Sequence, residues 1–132
     1  MDIRVSPASS APIYQQIVDQ VKQLVASGRL GPGDELPTIR ALAQQLLINP
    51  NTVARAYREL EVEGLVHSRV GHGTHIASGV SPLGPEARLR LLREHAAVLA
   101  MHARHLGFTA DEVCDLVREQ FGAGTAPSGE GQ

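Results

Sequence analysis

Asn49-Pro50-Asn51-Thr52-Val53-Ala54-Arg55-Ala56-Tyr57-Arg58-Glu59-Leu60 is the stretch whose reading decides the fold. Asn49 offers a side-chain oxygen to the free N–H groups that open a helix, and Pro50 fits the first helical position, where no N–H is needed. Val53, Ala56, Tyr57 and Leu60 then recur at i, i+3, i+4 and i+7, which gathers them on one buried face. Asn51, Thr52, Arg55, Arg58 and Glu59 fall on the opposite face, and Gly64 closes the helix. An outward face built from amide, hydroxyl and guanidinium groups suits the major groove, where each base pair shows its own pattern of donors and acceptors.

Working upstream, Leu47-Ile48-Asn49-Pro50 reads as a tight reversal after a short helix, which Thr38 caps and which Ile39, Leu42, Ala43 and Leu46 line on one side. Before it, Gly28 to Pro37 is dense in turn formers, with Leu30 and Leu36 pointing inward from a short strand or loop. Ile13, Ile17, Val21, Leu24 and Val25 follow Pro12 as the apolar stripe of a first helix ending near Gly28. Downstream, Leu65-Val66-His67-Ser68 and Thr74-His75-Ile76-Ala77 read as two short strands around the glycine-containing tip Arg69-Val70-Gly71-His72-Gly73. Two helices meeting at a tight turn, with a β-hairpin behind them, spell a winged helix-turn-helix over residues 1–78.

Residues 79–85 have the composition of a linker. Beyond them Leu92, Ala96, Leu99, Ala103 and Leu106 alternate at four and three residues, the apolar seam of a helix that packs on other helices. Gly107 ends that helix, and Thr109-Ala110-Asp111-Glu112 is a capping box for a last one bearing Val113, Leu116, Val117 and Phe121. Residues 86–121 are therefore expected to form a two-helix dimerisation hairpin, since two such helices cannot cover their apolar faces alone. Small and polar residues over 122–132 read as a disordered tail. The expected class is α+β, mostly α.

Composition narrows the function. A chain of 132 residues, 42% hydrophobic and 20% charged, holds one ordinary core plus an appendage, and contains no apolar run of the ~20 residues needed to span a bilayer. Met1-Asp2-Ile3-Arg4-Val5 lacks the order of a secretory signal, so a cytoplasmic location with no membrane partner is expected. The single cysteine, Cys114, excludes an internal disulfide, and its flanks Val113 and Leu116 read as those of a small core thiol. Net charge is −2, and residues 1–78 balance seven Lys/Arg against seven Asp/Glu, so any affinity for nucleic acid must come from where charges sit.

Several strings together resemble the GntR family of bacterial regulators, in its short YtrA-like branch. They are Pro12-Ile13-Tyr14-Gln15-Gln16-Ile17, Gly28-Arg29-Leu30 with Pro32-Gly33-Asp34, and Leu36-Pro37-Thr38-Ile39-Arg40-Ala41-Leu42-Ala43. The Asn49–Leu60 run, Glu63-Gly64-Leu65-Val66 and Gly71-His72-Gly73-Thr74 complete the series. Departures are local. Thr38 stands for the usual serine, and Leu47 occupies a turn position where a small residue is common, so a different shape or tighter packing is expected there. His72 and His75 take wing positions that often hold a cation and an aromatic residue, while Pro50 and Ala54 replace arginines of other branches.

The resemblance implies a homodimeric repressor on an inverted-repeat operator of double-stranded DNA, with transporter operons as typical targets. The expected DNA contacts are Thr38, Arg40, Asn49, Asn51, Thr52, Arg55 and Arg58 of the helix pair, and Arg69, Gly71, His72, Gly73 and Thr74 of the wing. Tyr57 reads as core, with a hydroxyl able to reach a phosphate. Left to charge pattern alone, Arg55 and Arg58 could equally pair with Glu59 or Glu63.

Three rival functions find little support. His95, His102 and His105 lie near one side of a helix but have no carboxylate or cysteine at a neighbouring ligand spacing. An aminotransferase of the kind fused to this module elsewhere needs a Schiff-base lysine, and no lysine follows Lys22. A winged helix used for protein contact would want an exposed apolar patch where this one offers polar and cationic groups. No enzyme activity and no cofactor are expected. A small-molecule or metal effector stays open, with little room in so short a hairpin for a pocket of ~300 Å³.

Overall fold

In the computed structural model, which describes residues 1–124, α1 (Ile13–Ala26) begins at Pro12, whose fixed φ holds the cap position. Ile17, Val18, Val21 and Val25 form its buried stripe, and Gly28 turns the chain out with φ 81°. α2 (Ile39–Leu46) is capped by Thr38, whose hydroxyl accepts from the Ala41 N–H at 3.0 Å. α3 (Pro50–Val62) is capped by Asn49, whose side-chain oxygen accepts from the Asn51 N–H at 2.8 Å. Val53, Ala56, Tyr57 and Leu60 are its buried residues, the set that the heptad-like spacing marks out.

β1 (Val66–Arg69) and β2 (Gly73–Ile76) pair antiparallel in the register Val66↔Ile76, His67↔His75, Ser68↔Thr74 and Arg69↔Gly73. Each strand sits one residue from its expected bounds, so Arg69 and Gly73 are paired strand ends rather than tip residues. The segment Gly33–Leu36 lies along the outer edge of β2: Gly33 N–H donates to Ile76 O, Ile76 N–H to Asp34 O, and Leu36 N–H to Thr74 O. The choice between strand and loop for this stretch is thus made by the free edge of β2, which no local signal records. Leu36, Val66 and Ile76 close the core over α1, α2 and α3.

Both the N-terminal arm and the stretch expected to be a linker are packed on the core. Ile3 is buried in the core, and Gln20 clasps the backbone of Arg4 with both its amide atoms, so the N-terminal arm is bound along α1. In the stretch expected to be a linker, Val80 packs against the core and the Leu83 N–H donates to Ala26 O at 2.8 Å, satisfying one of the orphan carbonyls at the end of α1.

Leu47 ends α2 in the left-handed conformation, φ 58° and ψ 48°, with its side chain 89% exposed. The turn is therefore not tightened by packing; it takes a different backbone shape. A side chain with Cβ pays about 1–2 kcal/mol in that region. Leu47→Gly is accordingly expected to raise the urea midpoint by a stabilisation of about 1 kcal/mol, net of the extra entropy glycine brings to the unfolded chain.

The chain divides into two compact units, Met1–Pro85 and a second from Glu86 onward. α4 (Pro85–Leu106), from its second residue, and α5 (Ala110–Gly124) make up the second, joined through Gly107 at φ 83°. The capping box forms as spelled: the Thr109 N–H donates to Glu112 Oε1 at 2.8 Å and the Glu112 N–H to Thr109 Oγ1 at 3.2 Å. α5 continues through Gly122 to Gly124, past the expected end at Phe121, because helical hydrogen bonding propagates into residues of modest propensity. The rest of the stretch read as a tail, residues 125–132, lies outside the described residues. Among the described residues no helix is long and apolar enough to cross a membrane.

Candidate nucleic-acid interface

Because Val53, Ala56, Tyr57 and Leu60 pin one side of α3 to the core, Asn51 and Arg55 are exposed and Thr52 is half-exposed at the N-terminal end of the opposite side. Both helix caps spend only acceptor atoms. Thr38 keeps its O–H and Asn49 its amide N–H groups, donors suited to phosphate oxygens beside two helix N-termini. Arg40 in the first turn of α2 and Arg58 on α3 are exposed, and among the described residues neither forms an ion pair.

Of the acids that might neutralise these cations, Glu59 forms no ion pair among the described residues, and two others are engaged elsewhere. Glu63 pairs with Lys22 of α1 at 2.8 Å, and Glu61 accepts from the Ser68 N–H at 3.4 Å, tying α3 to β1. Arg55 instead lies over the Tyr14 ring, its Cζ 3.7 Å from the ring centroid. Tyr14 is a site residue that the sequence reading passed over; only the packing of α1 on α3 puts the two side chains together.

Tyr57 is not available to a phosphate. Its hydroxyl donates to Pro37 O at 2.7 Å, and burial pushes the phenol well above its ordinary range. The bond anchors the start of α2 to α3, so this hydroxyl holds the two-helix geometry rather than the ligand.

At the wing, Arg69, Gly71 and His72 are exposed, and the His72 N–H donates back to Arg69 O at 2.9 Å to close the tip. Gly73 has φ 75°, a backbone shape that favours glycine, and a Cβ there would stand 3.0 Å from Glu35 Oε2, a flexible side-chain end that could give way. Glu35 thus lays a carboxylate against the wing, a second contact absent from the sequence reading. Its cause is the same edge pairing, which sets Glu35 opposite His75. Thr74 is half-buried and its hydroxyl shares a 2.8 Å hydrogen bond with Ser68. His75 stacks on His67 with centroids 6.1 Å apart, giving the wing an aromatic pair in place of the single aromatic residue common there.

In the second unit, Ala103 is buried and Val113 half-buried, whereas Leu92, Ala96, Leu99, Leu106, Leu116, Val117 and Phe121 are exposed. Between α4 and α5 runs an open groove of about 480 Å³, lined by Ala96, Leu99, Ala103, Phe108, Val113 and Val117 among others. It exceeds the room expected of so short a hairpin, because Ala96, Ala100, Ala103 and Ala110 line it and leave volume that larger side chains would fill. Cys114 lies on this groove and is exposed, not a core thiol. His95, His102 and His105 are exposed on α4, and among the described residues no group of three or more His, Cys, Asp or Glu side chains is placed to hold a metal ion.

Comparison with known proteins agrees with this architecture. Residues 13–76 match the family described as bacterial regulatory proteins, gntR family. The HTH-type transcriptional repressor YtrA of Bacillus subtilis (strain 168) is 37% identical over 117 residues, 89% of this chain and 90% of the relative. Among solved structures, YtrA from Sulfolobus acidocaldarius, a GntR-family transcription factor, superposes with a TM-score of 0.53 at 30% identity, covering 92% of this chain and 97% of that one. The DNA-binding domain of AraR in complex with operator ORX1 gives 0.52 at 26% identity, over 58% of this chain and 96% of that one. With identity sustained across nearly the whole of both chains, and with a winged helix-turn-helix beneath it, the chain belongs to the GntR family of bacterial regulatory proteins.

Proposed function

We propose that the chain is a sequence-specific transcriptional repressor that binds double-stranded DNA as a homodimer. The observation that carries this reading is the outward face of α3, where Asn51, Thr52 and Arg55 stand clear of the core at the end of a helix narrow enough for the major groove. Thr38, Arg40, Asn49 and Arg58 flank it as phosphate contacts that set register without reading sequence. Arg69, Gly71, His72, Gly73 and Thr74 belong to a wing that approaches the adjacent minor groove, where negative potential favours cations. The operator complex of the AraR domain supports the assignment for this module.

Leu92, Leu99, Leu106, Leu116 and Phe121 are large apolar side chains exposed on the helical unit, and a second copy packed on that seam removes them from water. A two-fold dimer presents two recognition helices, so the operator is an inverted repeat with half-sites about 10 base pairs apart or at another spacing set by the helical units. Control of a neighbouring transporter operon is the finer part of this reading and rests on the family resemblance. Light scattering on the purified protein together with genomic footprinting tests it. A monomer at micromolar concentration removes the dimer, and no protected fragment at low ionic strength removes the repressor.

The wing supplies a separate expectation. Arg69→Ala weakens binding to all sequences alike and lowers the slope of log K against log salt by about two units for the dimer, as loss of one phosphate contact per protomer does. Fluorescence anisotropy across a salt series reads it directly; an unchanged slope takes Arg69 off the backbone.

A further inference from the structure

Arg55 owes its conformation to a residue outside the recognition helix. A Cζ 3.7 Å from the Tyr14 ring centroid puts the guanidinium in direct contact with the ring face, the separation of a stacked cation–π pair. A guanidinium lying flat sends its N–H fork sideways, in a plane fixed by the ring. That fork is exposed, and among the described residues it makes no hydrogen bond or ion pair, so its donors are left for a ligand.

The platform is itself held. Tyr14 stands in the first turn of α1, half-buried, next to Gln15 and Gln16. Gln16 donates to Ala11 O at 2.9 Å and to Ser6 O at 3.0 Å, and accepts from the Ser6 N–H at 2.8 Å. This clasp fixes the N-terminal arm on α1, and the packing of α1 on α3 carries the fixed ring to Arg55.

We propose that Tyr14 is a positioning residue for base reading: its ring sets the plane in which the Arg55 fork meets a base edge. The inference rests on the reading of α3 as the recognition helix. Bidentate pairing of arginine with guanine O6 and N7 needs both N–H groups in the plane of the base, a demand that a freely rotating side chain meets only part of the time. Stacking also keeps one face of the guanidinium from water before DNA arrives, so less ordering remains to be done on binding.

The test uses the full chain, the operator fragment recovered by footprinting, and a panel of its single-base variants, with Kd read by fluorescence anisotropy. Tyr14→Ala and Tyr14→Leu each weaken operator binding by about three- to thirtyfold, and both lose preference at the same base pair that Arg55→Ala relaxes. Tyr14→Phe, which keeps the ring, stays within about twofold of the parent. In the Arg55→Ala background, Tyr14→Leu has no further effect on base preference. Tyr14→Leu preserves apolar bulk, so an unchanged urea midpoint in that variant separates orientation from folding, whatever Tyr14→Ala does to stability. Tyr14→Leu binding with full affinity and intact base preference overturns the proposal, as does Tyr14→Phe failing as badly as Tyr14→Leu, which would assign the effect to the hydroxyl. If Arg55→Ala leaves base preference untouched, the recognition role of Arg55 falls and the proposal with it; if Arg55→Ala relaxes preference and Tyr14→Leu does not, only the positioning role falls.

Discussion

Leu60→Ala is expected to cost about 2–5 kcal/mol of folding stability. Leu60 is fully buried on α3, in the one core that joins α1, α2, α3 and the wing strands, so its removal takes apolar contacts away and leaves a cavity that three packed helices cannot easily close. Against the roughly 5–15 kcal/mol that holds a domain of this kind together, such a loss is a large fraction of the total. The effect on DNA binding follows through folding: α3 lends its inner face to the core and its outer face to the operator, and the second cannot persist without the first. Urea denaturation gives the stability change, and operator affinity measured well below the new midpoint shows whether the folded fraction still binds normally. Val62→Ala is the control on the same helix. Val62 is 81% exposed, and its truncation is expected to stay within about 0.5 kcal/mol. A Leu60→Ala variant as stable as the parent would mean that the core is not organised as described.

Arg55→Ala is expected to leave folding unchanged and to cost about 1–3 kcal/mol of operator affinity per half-site, together with lost preference at one base position in each. The side chain is exposed and its one described contact is the Tyr14 ring, so little of the fold depends on it. Arg58→Ala and Arg40→Ala should behave differently, weakening all sequences evenly and reducing the salt dependence, because backbone contacts carry charge but no base identity. Competition titrations against single-base operator variants separate the two patterns. Uniform weakening by Arg55→Ala would move Arg55 to the backbone class and leave Asn51 and Thr52 as the readers.

How much of this was legible in advance depended on the range of the signal. The buried quartet of α3, the caps Thr38 and Asn49, the reversal between α2 and α3 and the Thr109–Glu112 capping box are each written within at most eight consecutive residues, where local geometry alone sets the neighbours. Segments classed by composition fared differently. The stretch through Leu83 has the polar and small residues of a connection, yet a single apolar side chain and a backbone hydrogen bond dock it on the core. Cys114 was misjudged for the converse reason, since apolar flanks on a helix predict burial only if something covers them.

The sequence by itself determined the order of the helices and the wing hairpin, the buried face of α3 and the outward set Asn51, Thr52 and Arg55, because these follow from hydrogen-bonding periods of one chain segment; on α1 and α2 it missed buried Val18 and counted exposed Ile39 as inward. Only the tertiary structure decided that Tyr57 spends its hydroxyl on Pro37, that Glu35 stands against the wing, that Leu47 adopts a left-handed backbone in the open, and that Tyr14 carries the Arg55 guanidinium. Most of these are settled by residues far apart in the chain, whose meeting depends on how α1, α3 and the free edge of β2 pack, and no local period encodes that packing.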